Sequence, residues 1–72
     1  MPLVIAPCNV LLKIIKILSD EKVKKHLESL GITINSTLTI LSISDGSVIL
    51  KVKEGRLALD KSLATKIVVT TI

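Results

Sequence analysis

The sequence predicts a mainly β fold: a small five-stranded barrel with one α-helix after the first strand and a one-turn helix before the last. Three observations predict it. The chain has 72 residues, enough for one domain (1–72) and no more. Short Ile/Leu/Val-rich runs alternate with turn residues along most of its length. Only one stretch spaces its apolar residues at a helical interval. Strands this short, joined by tight turns, make a sheet too narrow to stay flat, so they bury one face by curling.

The elements follow in order. Met1 to Cys8 is apolar with two prolines and reads as an extended lead-in packed on the domain. Asn9 marks a turn, and 10–18 (VLLKIIKIL) reads as the first strand, with apolar groups on both faces. Ser19 or Asp20 caps the helix that follows, and Asp20 and Glu21 place negative charge where the helix dipole favours it. Val23, Leu27 and Leu30 form a single stripe. Gly31 ends the helix because it takes a left-handed conformation without a Cβ penalty.

Beyond Gly31 the period changes. Asn35 suits a turn. Residues 37–44 alternate cleanly at first, with Leu38 and Ile40 on one face, then slip parity at Leu41 and Ile43, which predicts a bulge or a curl. Asp45-Gly46 is a hairpin turn. Residues 47–53 turn Val48, Leu50 and Val52 inward and Lys51 and Lys53 outward. Glu54-Gly55 is the next turn, and Arg56 to Leu59 is a short strand with Leu57 and Leu59 on one face. Asp60 caps a single helical turn through Ala64, and 67–72 is the last strand.

Composition narrows the function. Ile, Leu and Val make up 30 of the 72 residues, which excludes disorder, and there is no Phe, Tyr or Trp. Ring-dependent stacking of single-stranded nucleic acid and docking of proline-rich peptides are therefore both excluded in their usual form. The net charge of +4 is mild and reads as solubility. The one cationic cluster, Lys22, Lys24 and Lys25, is flanked by Glu21 and Glu28. Binding of duplex nucleic acid through phosphates is the weaker alternative that a basic barrel leaves open.

The mean hydropathy of +0.68 is high. The most apolar stretch, Leu3 to Leu18, nevertheless contains Pro7, Asn9, Lys13 and Lys16. A spanning helix needs about 20 apolar residues, and a central Lys costs about 2.5–3.5 kcal/mol, so no membrane insertion is expected. The first cation, Lys13, lies inside the apolar stretch rather than before it, unlike a signal peptide. The expectation is a cytoplasmic chain whose one thiol, Cys8, stays free.

Chemistry-bearing residues are few. Cys8, Asp20, Glu21 and His26 are the candidate metal ligands; Cys8 and His26 lack local partners at ligand spacing, and Asp20 and Glu21 next to His26 could recruit a divalent cation. Cys8 reads first as a small packing residue, His26 as a solvated residue beside the helix stripe, and Asp20 and Glu21 as the helix start. No glycine-rich phosphate loop is present, and no catalytic arrangement, so the chain is not expected to be an enzyme. What remains is surface. Among Leu11, Leu12, Ile15, Leu18, Leu41 and Ile43, some must point outward unless Leu3–Ala6 covers them, and exposed apolar groups mark partner surfaces. Lys24, Lys25 and His26 on the helix, with Leu41 and Ile43, form the candidate partner surface.

Over nearly its whole length the chain resembles the ferrous iron transport protein A family. The residues that carry the resemblance are Pro2-Leu3, Ile14 and Ile17, Asp20, Leu27 with Leu30-Gly31-Ile32, Asp45-Gly46, Arg56, Ala58-Leu59, Ala64 and Ile67. Asn9, Ser19 and Asn35 stand where that family usually has Gly, and His26 where it has Arg. Asn also adopts positive φ, so its two substitutions are mild, whereas His26 removes a permanent charge. The resemblance implies an SH3-like barrel and a non-catalytic accessory role in ferrous iron uptake. The implied partner is a large membrane ferrous iron permease carrying a GTP-binding domain, met on its cytoplasmic side. Direct binding of ferrous iron and homo-oligomerisation through an edge strand stay open.

Overall fold

The computed structural model describes residues 1–53 and 55–72. A single 3-10 turn at Leu3–Ile5 precedes β1 (Leu11–Ile17), α1 (Glu21–Ser29), β2 (Thr37–Ile43), β3 (Ser47–Val52), β4 (Gly55–Asp60), α2 (Lys61–Ala64) and β5 (Ile67–Thr71). The strands form one antiparallel sheet in the order β4-β3-β2-β1-β5. The sheet curls as the sequence predicts, but its ladder stays open between β4 and β5, where α2 connects the two strands. The fold is a small barrel that does not close by hydrogen bonds.

Curling depends on two bulges. In β1, Leu12, Ile14 and Ile17 are buried, and the gap of three between the last two breaks strict alternation. The register against β5 shifts between Ile14 and Lys16, so Ile15 is the extra residue that returns Ile17 to the inside. In β2 the register against β3 shifts between Ile40 and Ser42, at the parity slip seen in the sequence. Bulges increase local twist, which a small curled sheet needs.

One open choice is settled and two expectations change. Of the apolar residues that could point outward, Leu12 is fully buried, while Leu11, Ile15, Leu18 and Ile43 are exposed. The lead-in is not extended throughout. Ile5 and Ala6 donate backbone bonds to the carbonyls of Pro2 and Leu3, and this tight turn brings Leu3 and Ala6 onto one buried face. Pro7 then holds Ala6 extended and ends the turn. In the expected Glu54-Gly55 turn, Glu54 lies outside the described residues, and Gly55 is already in β4, paired with Val52.

The free edge of β5 is covered by the start of the chain. The Met1 ammonium donates to the Val69 carbonyl and the Val69 N–H donates to the Met1 carbonyl, each at 2.8 Å, and Pro2 bridges Val68. An open strand edge is a template for unwanted pairing, and this contact removes one. The core is aliphatic throughout, and no polar side chain is buried among the described residues.

α1 starts where Asp20 Oδ1 accepts from the Val23 N–H at 2.9 Å. It ends with the Gly31 N–H on the Glu28 carbonyl and the Ile32 N–H on the Leu27 carbonyl, both at 2.9 Å, with Gly31 at φ 89°. This double bond with a buried Leu27–Ile32 pair is the Schellman stop. Asp20→Ala is expected to cost about 0.5–2 kcal/mol in urea unfolding, with Asp20→Asn near neutral.

Candidate partner interface

The candidate ligands do not converge. Asp20 is committed to its cap. Glu21 lies 3.9 Å from Lys24 in an exposed ion pair. His26 is exposed on α1, where its carbonyl accepts from Ser29 Oγ. Cys8 is free, in the segment between the 3-10 turn and β1, and it is exposed rather than packed. Among the described residues no group of three or more His, Cys, Asp or Glu side chains is placed to hold a metal ion. Asp60, the other capping carboxylate, is bonded to the Ser62 N–H at 3.4 Å and to its hydroxyl at 3.1 Å.

The residues of the expected partner surface lie on two elements, α1 and β2. Lys25 and His26 are exposed on α1 and Lys24 is half-buried. Ile43 lies at the far end of β2, six residues beyond Thr37, where the chain arrives from α1. Leu41 is half-buried at the bulge and Ile43 is exposed.

Two shallow grooves are present instead. The first, of about 250 Å³, lies between α1 and the chain entering β2, and is lined by Ile17, Lys24, Glu28, Thr33 and Ile34. Asn35, at φ 73°, turns the backbone there, and Ser36 Oγ donates to the Thr33 carbonyl and accepts from its N–H. This local closure leaves Ile34 exposed beside the helix. The second groove, of about 330 Å³, crosses the outside of β1, β2 and β3. Leu11, Thr37, Thr39, Lys51 and Lys53 line it. Alternation in the sequence turns Lys51 and Lys53 outward but does not mark them as a site. The signal lies in cross-strand register, which alternation along one strand does not report.

A curled five-stranded sheet, one helix between β1 and β2, and a Gly-terminated helix stop extend over the length matched by one family model. The FeoA domain model matches residues 1–71. The chain belongs to the FeoA family. These are small domains and not a known enzyme family. A crystal structure described as an iron uptake regulatory protein, FeoA, is similar at 28% identity and TM-score 0.89, with 100% of this chain and 96% of that one covered. An FeoA-like protein from Clostridium acetobutylicum has TM-score 0.85 at 23% identity, covering 100% of this chain and 86% of that chain. An FeoA protein from Chlorobium tepidum has TM-score 0.88 at 16% identity, covering 100% and 70%. The last two support the fold alone. No curated protein sequence matches significantly. Among the described residues, no helix is long and apolar enough to cross a membrane.

The two Asn residues fit the FeoA pattern physically. Asn9 and Asn35 both have positive φ, 62° and 73°, the conformation expected at the two positions where the resemblance implied glycine. Asn is the non-glycine residue that most readily accepts that conformation.

Proposed function

We propose that this chain is a non-catalytic accessory protein of bacterial ferrous iron uptake, acting in the cytoplasm on a membrane ferrous iron permease that carries a GTP-binding domain. The observation that carries the proposal is the FeoA domain match over residues 1–71. The description of the 28% identical relative as an iron uptake regulatory protein supports it. So does the surface. Leu11, Ile15, Leu18 and Ile34 are exposed aliphatic groups beyond what the core uses, and contacts are what they offer.

In this reading the chain works by docking. Ferrous iron is the cargo of the permease, and Cys8, Asp20, Glu21 and His26 are not required to hold it. Calorimetry with ferrous ion is expected to give no saturable heat, and His26→Ala and Cys8→Ser are expected to leave that result unchanged. Saturable binding abolished by either variant would assign metal ligation to this chain.

The deciding experiment joins a pull-down with a phenotype. The cytoplasmic part of the cognate permease is expected to retain this chain, and deletion of its gene is expected to lower ferrous iron uptake. No retention together with unchanged uptake would overturn the proposal.

A further inference from the structure

The outer face of the sheet carries an arrangement that folding does not need. Leu11 on β1 stands opposite Thr39 on β2, Thr39 opposite Lys51 on β3, and Lys51 opposite Arg56 on β4. One row therefore crosses four strands from an exposed leucine to two cations. Thr39 lies between buried Leu38 and Ile40, and Lys51 between buried Leu50 and Val52, so the row faces solvent. Lys53 lines the same groove, and Lys13, opposite Thr37, lies beside it on β1. The five described carboxylates, Asp20, Glu21, Glu28, Asp45 and Asp60, all lie off these rows, on α1, at its cap, or at the Ser47 end of β3 and β4.

Directly opposed residues on antiparallel strands have Cβ atoms about 4.5–5.5 Å apart, and like charges so placed are destabilising. Arg56 on the edge strand β4 has an ordinary use in blocking edge pairing. Lys51 has none, because β3 is an interior strand flanked by β2 and β4. The register thus sets two like charges opposite each other beside a groove of about 330 Å³ that Leu11 also lines.

We propose that this face binds an acidic segment of a partner protein, whose carboxylates meet Lys51 and Arg56 and whose neighbouring apolar side chain meets Leu11. The proposal deepens the accessory reading above and rests on it for the identity of the partner in the cell. Charge complementarity selects the occupant. A duplex would use the cations but leave Leu11 idle, and the chain has no aromatic side chain for stacking on single strands. A membrane surface would use protruding apolar groups, but Ile5, Leu18 and Ile34 lie outside these rows.

The test uses the isotope-labelled full chain with three probes: the synthetic peptide Glu-Glu-Leu-Glu-Glu, a DNA duplex, and vesicles of phosphatidylglycerol. The peptide is expected to shift the amides of Leu11, Thr39, Lys51 and Arg56 and to weaken with salt. Lys51→Glu is expected to cut its affinity about tenfold or more. Lys51→Thr is expected to weaken it and also to raise the thermal midpoint by about 1–8 °C, because the like-charge pair is gone. A stronger response to the duplex or the vesicles, peptide shifts elsewhere on the molecule, or unchanged affinity in Lys51→Glu would overturn the proposal. The permease arm separates the two readings. Retention of both wild type and Lys51→Glu would sink the acidic-segment face and leave the accessory role standing. Peptide binding without permease retention would do the reverse.

Discussion

Leu27→Ala is expected to destabilise the protein by about 2–5 kcal/mol, measured as a lower urea midpoint at unchanged slope. Leu27 is the one fully buried side chain of α1. Val23 and Leu30 pack against the same core but stay partly exposed. The helix is only 9 residues long, below the length at which an isolated helix holds in water, so it depends on that single anchor. A 72-residue domain has roughly 4–11 kcal/mol of stability in all, so the variant is expected to lose a large part of it. Leu18→Ala, at a side chain 53% exposed just before α1, is the matched control and is expected to change stability by less than about 0.5 kcal/mol.

Leu3→Ala is expected to cost a similar amount, about 2–5 kcal/mol, although it lies in a three-residue turn near the chain start. Leu3 is fully buried in the common core. The turn that carries it is held by Met1 bonded to Val69 on β5, and it lies against α2 at the opening between β4 and β5. Leu3 therefore plugs the part of the barrel where the ladder is missing. Ile5, in the same turn, is 69% exposed, and Ile5→Ala is expected to stay within about 0.5 kcal/mol. Equal losses for Leu3→Ala and Ile5→Ala would show that the segment acts through its backbone and not as a plug.

Local signals made most of this architecture legible. Ser19 or Asp20 and Gly31 bound the helix in the sequence, and the structure selects Asp20 as the cap, because capping chemistry is carried by individual residues. The parity slip at Leu41 located the β2 bulge, since a two-residue period leaves no other way to keep both sides of the strand paired. The buried turn at Leu3–Ile5 was not legible, because three residues are too few to display a period. Leu12 was ambiguous for a related reason. In a run of leucines and isoleucines every position looks apolar, and only the bulge at Ile15 decides which of them face inward.

The proposed binding face is less legible than the fold. Lys24, Lys25 and His26 stand out because they are adjacent in sequence on α1, whereas Ile43 lies on β2. Lys51 and Arg56 are brought opposite each other by the β3–β4 register. A turn centred on Glu54-Gly55 would have put Lys53 opposite Arg56 instead, whereas the observed register pairs Val52 with Gly55 and Lys51 with Arg56. Charge pairs across strands are a property of register, which local composition does not encode.

The absence of aromatic side chains shapes both parts of the account. The SH3-like barrel here has no rings to line a proline-peptide groove, so its contacts come from aliphatic groups and lysines. The most direct test of the central claim is a titration of the isotope-labelled chain with the cytoplasmic GTP-binding part of its cognate ferrous iron permease, followed amide by amide. Saturable shifts concentrated on the outer face of β1 to β4, with the core amides unchanged, are the predicted result. A titration to saturating permease that moves no amide of the chain would contradict it.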